Sequence, residues 1–158
     1  MDDATLFNVL SDIREEAYAK GYKVPASVVG RSMLPLLRTH DVVMLTRPVP
    51  LKIRPGDVII FRSRRFGLTG HRVIRKILRR GRIYFVTKGD ANFRYDKPVP
   101  SKAVVGKIFK IMNRKGFGFS LERGIGRVIN TAALFFSVTE ITPVLVHFAI
   151  KVWNRRRR

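Results

Sequence analysis

The sequence predicts a mainly β-structured, antiparallel domain with an amphipathic helix before it and an apolar helical segment after it. Short runs rich in Val, Ile, Phe and Tyr, separated by Gly and Pro, fill the middle of the chain and are typical of strands joined by turns. The first 20 residues repeat apolar side chains at helical spacing, and residues 128–150 are mostly apolar. We therefore divide the chain into an N-terminal helix at 1–23, a β-rich domain at 24–122 and C-terminal helices at 123–158.

Composition limits the classes of function that remain open. The 158 residues are 46% hydrophobic and 10% aromatic, which suffices for one folded domain with appendages. A formal net charge of +21 makes nucleic acid, an anionic membrane surface or an acidic protein suitable partners on electrostatic grounds. The lack of cysteine excludes disulfides, thiol catalysis and Cys-ligated zinc, and the three histidines are too scattered to predict a metal site. We expect no metal and no cofactor.

Residues 4–20 predict an amphipathic helix. Asp2 or Asp3 can cap its first turn, and Gly21 follows as a stop. Its apolar residues recur at helical spacing and are Leu6, Val9, Leu10, Ile13 and Ala17. In one interpretation this face packs on the domain, and in the other it binds a partner.

Six runs in the middle of the chain predict strands. Val28 and Val29 follow Ser27 in the first run, and the others lie at 41–46, 57–62, 72–78, 82–87 and 104–112. The sequence Arg-Arg-Gly-Arg at 79–82 has the length and the glycine of a tight turn between two of these strands. Neighbouring strands are therefore predicted to run antiparallel.

Residues 128–150 are long enough to cross a bilayer but carry polar interruptions. Glu140 close to Pro143 indicates a kinked helix or two short interfacial helices. We interpret the segment as a membrane anchor, with packing on a soluble domain or partner as the alternative. Lys151 and the terminal arginines 155–158 would then contact anionic headgroups on the cytoplasmic side, by the positive-inside tendency.

Three short stretches each present a catalytic residue type that core packing does not require. Ser32 lies in a small turn, His71 opens a predicted strand, and the acids Asp90 and Asp96 follow a glycine turn. Taken singly, such residues are ordinary caps, surface groups and turn formers. Together they supply a nucleophile, a general base and an acid that orients the base.

The order of these stretches resembles the motif order of type I signal peptidases and the wider family of membrane-bound and repressor-cleaving serine peptidases. The sequence Gly-Arg-Ser-Met-Leu-Pro at 30–35 is similar to the nucleophile motif, and Pro-Gly-Asp-Val-Ile-Ile-Phe at 55–61 to the Gly-Asp strand. His-Arg-Val at 71–73 resembles the general-base motif, Lys-Gly-Asp-Ala-Asn at 88–92 the Gly-Asp-Asn motif, and Val-Val-Gly-Lys-Ile at 104–108 the closing strand. The resemblance implies a signal-peptidase-like antiparallel β catalytic domain.

The histidine at position 71 resembles the endoplasmic-reticulum and archaeal branch of the family, whereas the usual bacterial enzymes have a lysine base there. The resemblance implies that Ser32 is the nucleophile and His71 the base. It favours Asp96 as the orienting acid, with Asp90 as the second choice. Lys88 matches a position that is not catalytic in the histidine branch.

The resemblance also assigns roles in the turn around the nucleophile. Gly30 and the backbone N–H of Ser32 would form the oxyanion-binding turn, and Met33 and Pro35 would contact the substrate. Family members bind an extended strand and cleave after small residues, so the implied partner is a signal or leader peptide. His40 departs from the pattern, because the family commonly has a glycine before this strand.

Membrane topology also departs from the family pattern. These peptidases usually have an N-terminal anchor, whereas residues 1–25 form no apolar span and anchoring is predicted at the C-terminus. A strongly basic domain is unfavourable to export, so a membrane-associated enzyme with a cytoplasmic catalytic domain that trims leader peptides stands beside the exported one. From the sequence, the catalytic domain can lie on either side of the membrane.

Other interpretations compete with the peptidase. A basic nucleic-acid-binding module would explain the charge but not the Ser, His and Asp set, and the arginines lack interleaved aromatics, so we expect no specific nucleic acid. A self-cleaving repressor would bring an N-terminal DNA-binding domain and a lysine base, and neither is evident. An inactive scaffold is disfavoured because every catalytic position is filled.

Overall fold

A computed structural model describes residues 3–63, 67–112, 118–122, 124–139 and 141–155. Within them, one antiparallel sheet of eight strands is accompanied by three α-helices. The helices are α1 (Asp3–Ala19), α2 (Gly124–Val138) and α3 (Ile141–Arg155). The strands are β1 (Val24–Ser27), β2 (Val42–Thr46), β3 (Val58–Ser63), β4 (Gly67–Arg79), β5 (Arg82–Lys88), β6 (Val99–Pro100), β7 (Val104–Met112) and β8 (Gly118–Ser120). The predicted class, mainly antiparallel β with helices at both ends, is confirmed.

The sheet has the strand order β1-β2-β7-β3-β4-β5-β6, and β8 also pairs with β7. Strands β2, β3, β5 and β7 lie within one residue of their predicted bounds. The predicted turn at 79–82 is confirmed, since Arg79 pairs with Arg82 across it. Arg80 and Gly81 have φ angles of 49° and 70°, which is the backbone twist that a two-residue hairpin turn requires.

The first predicted strand is misplaced. β1 covers Val24–Ser27 and leaves out Val28 and Val29. Val28 donates its N–H to the carbonyl of Asp41 and accepts from the N–H of His40, so at this point the chain closes the base of a loop.

The strand of His71 begins earlier than predicted. β4 starts at Gly67 rather than at Arg72, because residues 67–71 also pair with β3 although Gly67 and Gly70 have low strand propensity. His71 therefore lies inside the strand and not at its beginning.

Two buried apolar clusters form the core. The first contains Tyr18, Met33, Leu37, Val43, Leu45, Val58, Ile108, Ile111 and Leu121. The second contains Ile53, Ile59, Phe61, Val73, Phe85, Val99 and Val104. Because Met33 and Leu37 belong to the first cluster, packing holds the segment after Ser32 against the sheet, and burying each such side chain contributes about 2 kcal/mol.

Helix α1 contacts the first cluster through Tyr18, and burial raises the pKa of its hydroxyl to about 12. Ile13, which the pattern predicts on the inner face, is 58% exposed. The prediction is wrong there because Arg14 and Tyr18 occupy the inner face instead, one turn apart. Three other predicted positions lie outside the part of the chain whose side chains are described, namely Leu6, Val9 and Leu10.

The C-terminal segment divides into α2 and α3, as the sequence around Pro143 predicts. This proline lies in the first turn of α3, where a missing N–H is tolerated. No single described helix is long and apolar enough to cross a membrane, and only the bent pair Gly126–Val138 and Ile141–Lys151, with an angle of 84°, meets that test. Glu140 and residues 156–158 lie outside the described residues.

Candidate active site

The turn of Ser32 and the strand of His71 line one cleft of about 570 Å³. Ser32 is half-buried, and His71 is 6% exposed. Gly30 and Asn92 also line the cleft. Its apolar walls include Val28, Met33, Leu37, Val43, Ile60 and Ile108. The structure therefore brings all three predicted stretches to one cavity, the third of them through Asn92.

The imidazole of His71 is held by Asp96. Its Nδ1 lies 2.6 Å from Oδ2 of the carboxylate, and the hydroxyl of Thr87 donates to the same oxygen at 2.7 Å. The backbone N–H of Asp96 donates to the carbonyl of Thr87 at 2.8 Å, which ties the loop to β5. Because an ionised carboxylate only accepts, Nδ1 is the donor in this contact, and in a neutral imidazole Nε2 would then be the acceptor.

Asp90 lies in a different environment from Asp96. Its two oxygens accept from Nε and Nη2 of Arg72 at 2.7 and 2.6 Å, and both side chains are almost completely buried. Asp90 therefore pairs with a guanidinium and not with His71. Of the two acids that the sequence proposes as partners for the histidine, the geometry favours Asp96.

The turn after β5 packs directly on the backbone of Ser32. The N–H of Ala91 donates to the Ser32 carbonyl at 2.8 Å. A Cβ atom on Gly89 would lie 2.7 Å from that carbonyl oxygen and 2.7 Å from Nδ2 of Asn92, so the approach requires glycine. Among the described residues, Ser32 Oγ makes no hydrogen bond.

Met33 and Pro35, both proposed as substrate contacts, are placed differently. Met33 is buried in the first core cluster and also lines the cleft. Pro35 is exposed and is not part of the cleft wall. The turn closed by the hydrogen bond from the Leu37 N–H to the Met33 carbonyl, at 2.9 Å, carries Pro35 outward. The assignment of Pro35 to substrate binding is therefore not supported by its position.

The loop that carries Ser32 is closed at its base. Asp41 accepts from the N–H of Arg38 through Oδ2 at 2.8 Å, and its own carbonyl accepts from Val28 at 2.9 Å. His40 has a φ of 73°, in the left-handed region that favours glycine. Gly30 has a φ of 105°, and a side chain there would be strained.

Three residues around this site were not predicted from the sequence. Thr87 holds Asp96, Arg72 holds Asp90, and Asn130 of α2 accepts from Arg72. Arg72 belongs to the His-Arg-Val motif and Thr87 precedes the Gly-Asp-Asn motif, but neither position indicates which acid the side chain binds. Asn130 is one of the polar residues that interrupt the apolar segment 128–150, and its partner depends on how α2 packs against the sheet.

No model of a known protein family matches the chain, and no curated protein sequence matches it. In the part of the chain that the structure describes, no cluster of three His, Cys, Asp or Glu side chains is placed to hold a metal ion. The contacts within the cleft therefore carry the functional interpretation.

Proposed function

We propose that the chain is a serine endopeptidase similar to type I signal peptidases of the histidine-base branch. The observation that carries the proposal is the arrangement of Ser32 and His71 on one cleft, with Asp96 bound to Nδ1 of the histidine at 2.6 Å. A nucleophile, a base and an acid that fixes the tautomer of the base are the parts that acyl transfer to a serine requires.

In the proposed mechanism, Nε2 of His71 accepts the hydroxyl proton of Ser32 while Oγ attacks the carbonyl carbon of the scissile peptide. Asp96 remains ionised and stabilises the imidazolium that forms. The imidazolium then gives its proton to the leaving amine, which leaves an acyl ester on Ser32. Water, deprotonated by the same histidine, hydrolyses the ester and restores the serine hydroxyl.

The turn around Ser32 supports binding of the oxyanion. Among the described residues, the N–H of Ser32 donates to no acceptor, so this donor is available to a substrate oxygen. Gly30, with its positive φ, gives the turn a shape that other residues would strain. One such donor is typically worth about 3 kcal/mol of transition-state stabilisation.

The open edge of β4 supports binding of an extended peptide. From Gly67 to Gly70 this strand pairs with β3, whereas pairing with β5 starts only at Arg72. Leu68, Thr69 and Gly70 also line the cleft. An extended signal or leader peptide would hydrogen-bond to this edge and place its side chains on the apolar walls of the cleft. Cleavage after small residues is part of the same proposal.

A peptide-cleavage assay tests the proposed function. Purified chain in detergent is incubated with fluorogenic peptides that carry Ala-x-Ala before the scissile bond. We expect cleavage that Ser32→Ala and His71→Ala abolish, whereas Ser101→Ala, a serine outside the cleft, leaves it unchanged. Cleavage retained by Ser32→Ala would show that the nucleophile is wrongly assigned. Salt-sensitive binding of DNA or RNA without proteolysis would favour the nucleic-acid-binding module instead.

The proposal also includes association with an anionic membrane surface. Large apolar side chains of α2 and α3 are exposed, namely Val128, Ile129, Phe135, Phe136, Val138, Ile141, Val144, Leu145 and Phe148. Because the chain has a net charge of +21, an anionic bilayer is a suitable partner for this apolar face. We expect flotation with phosphatidylcholine vesicles that contain phosphatidylglycerol, and weaker flotation after Phe135→Ser and Phe148→Ser. Flotation that is unaffected by these changes would contradict this face as the contact.

A further inference from the structure

The buried residues of helix α2 are polar or small, and most of its described large apolar residues are exposed. Gly126, Asn130 and Ser137 are buried against the sheet. Val128 and Phe135, seven residues apart and hence on one stripe, are exposed. A surface helix on a soluble domain normally buries its large apolar residues, whereas the inner face of α2 buries polar and small residues beside the half-buried Leu134.

The inner face of α2 binds two buried cations. Nη1 of Arg72 donates to Oδ1 of Asn130 and, at 3.3 Å, to its backbone carbonyl. Nζ of Lys88 donates to the carbonyl of Ser137. Arg72 and Lys88 are direct partners in the pairing of β4 with β5, and both are fully buried. Two turns of α2 therefore cover two adjacent strands through polar contacts.

The residues that precede these two cations in their strands bind Asp96, the acid of the proposed catalytic centre. His71 precedes Arg72, Thr87 precedes Lys88, and both of them contact Asp96. Successive side chains of a strand point to opposite faces of the sheet. Arg72 and Lys88 therefore contact α2 on one face, while the preceding residues, His71 and Thr87, contact Asp96 on the other. Helix α3 adds a contact to the same loop, because the rings of His147 and Phe93 lie 5.0 Å apart.

We propose that α2 is a positioning element of the catalytic centre and that Asn130 is its positioning residue. The inference rests on the proposed function for the catalytic role of His71. The guanidinium of Arg72 also binds Asp90 and the Gly56 carbonyl, so the side-chain oxygen of Asn130 is the nearer acceptor for the remaining Nη1 hydrogen. Without it, this fully buried donor keeps only the longer contact of 3.3 Å to the backbone carbonyl of residue 130. Without that acceptor, Arg72 shifts, the backbone of β4 shifts with it, and the imidazole leaves its fixed place on Asp96.

The test uses the full-length chain and two readouts. Proton NMR detects the downfield signal of the His71 Nδ1 hydrogen that Asp96 accepts, and the fluorogenic Ala-x-Ala peptide gives kcat and KM. Asn130→Ala is expected to broaden or remove the NMR signal and to lower kcat roughly tenfold with little change in KM. Asn130→Asp, which keeps an acceptor for Arg72, is expected to restore both. Ile129→Ala, a neighbouring change on the exposed face, is the matched control and should alter neither.

The outcomes separate this inference from the proposed function. An unchanged NMR signal and kcat in Asn130→Ala would overturn the positioning role. A signal that is lost in Asn130→Ala and restored in Asn130→Asp supports it even if no peptide is cleaved, and only the proposed function then fails. If Asn130→Ala does not fold, Asn130→Leu, of similar volume, replaces it, and loss of cooperative unfolding in both would mean a structural role and overturn the proposal.

Discussion

The two faces of the β4–β5 pair hold their carboxylates in different ways. On the cleft face, Asp96 is partly exposed and accepts from His71 and Thr87. On the face covered by α2, Asp90 is buried and both of its oxygens are bound by Arg72. An acid whose two oxygens accept from a buried guanidinium compensates that buried charge. An acid bound to one imidazole nitrogen leaves the other nitrogen free for proton transfer. Surroundings, and not spacing along the chain, separate the two acids.

The largest expected effect is on activity, from Asp96→Asn. An amide can donate to Nδ1 and so favour the wrong tautomer of His71, and we expect kcat for the Ala-x-Ala peptide to fall roughly 10³–10⁴-fold. The free energy of unfolding, measured with urea, should change little because Asp96 is partly exposed. Activity close to that of the unchanged chain would remove Asp96 from the proposed mechanism.

The companion change, Asp90→Asn, is expected to act on stability. It leaves the buried guanidinium of Arg72 without its counter-ion, which typically costs about 3–5 kcal/mol of unfolding free energy. Urea unfolding of Asp90→Asn and Asp96→Asn under the same conditions measures the difference. Equal losses of stability in the two variants would contradict the distinction between the two faces.

A smaller effect is expected from Gly89→Ala, because Gly89 lies where the turn after β5 contacts the backbone of Ser32. The new Cβ would lie 2.7 Å from the Ser32 carbonyl, so the turn must move, at a cost of about 1–3 kcal/mol and with reduced peptide cleavage. Gly81→Ala is the control, because a new Cβ there has no atom within 4 Å, and the positive φ of 70° makes alanine unfavourable through the backbone alone. If both variants cleave peptide equally well, the contact at Gly89 does not position the nucleophile.

The smallest effect concerns Tyr18, a buried titratable group away from the cleft. Its pKa is raised from 10.0 to about 12 by burial, so the unfolded chain loses this proton at lower pH than the folded chain. The stability that comes from this difference in the pKa of Tyr18 is fully present below pH 10 and is lost as the pH rises towards 12. The decrease in unfolding free energy between pH 9 and pH 11 should therefore be smaller in Tyr18→Phe. An identical decrease in both proteins would contradict the prediction.

The sequence predicted the strands well where β-branched runs are flanked by Gly or Pro. It misplaced β1 because Val28 and Val29 have strand propensity, whereas their hydrogen bonds go to the far end of a loop. It began β4 too late because Gly67 and Gly70 weaken a strand pattern that pairing with β3 nevertheless maintains. Both errors arise where tertiary pairing overrides local preference.

For the site, motif order selected Ser32, His71 and the two acids, but not the contacts that distinguish them. Which acid reaches the histidine depends on the loop bond between Asp96 and Thr87, and this bond has no local sequence signature. The role of Asn130 was also invisible, because a polar residue in an apolar helix gains meaning only from the buried partner opposite. Contacts between distant segments thus account for most of what the sequence did not predict.

The polar contacts of α2 with Arg72 and Lys88 have a consequence for the order in which the chain folds during synthesis. Residues 124–138 are synthesised after all the strands, so Arg72 and Lys88 emerge before the helix that covers them. The sheet can pair first, but its two buried cations acquire their last acceptors only when α2 arrives. If α2 positions the catalytic centre as proposed, a nascent chain holds its nucleophile and base for some time before they are aligned. The late helix would thereby delay cleavage until synthesis of the domain is finished.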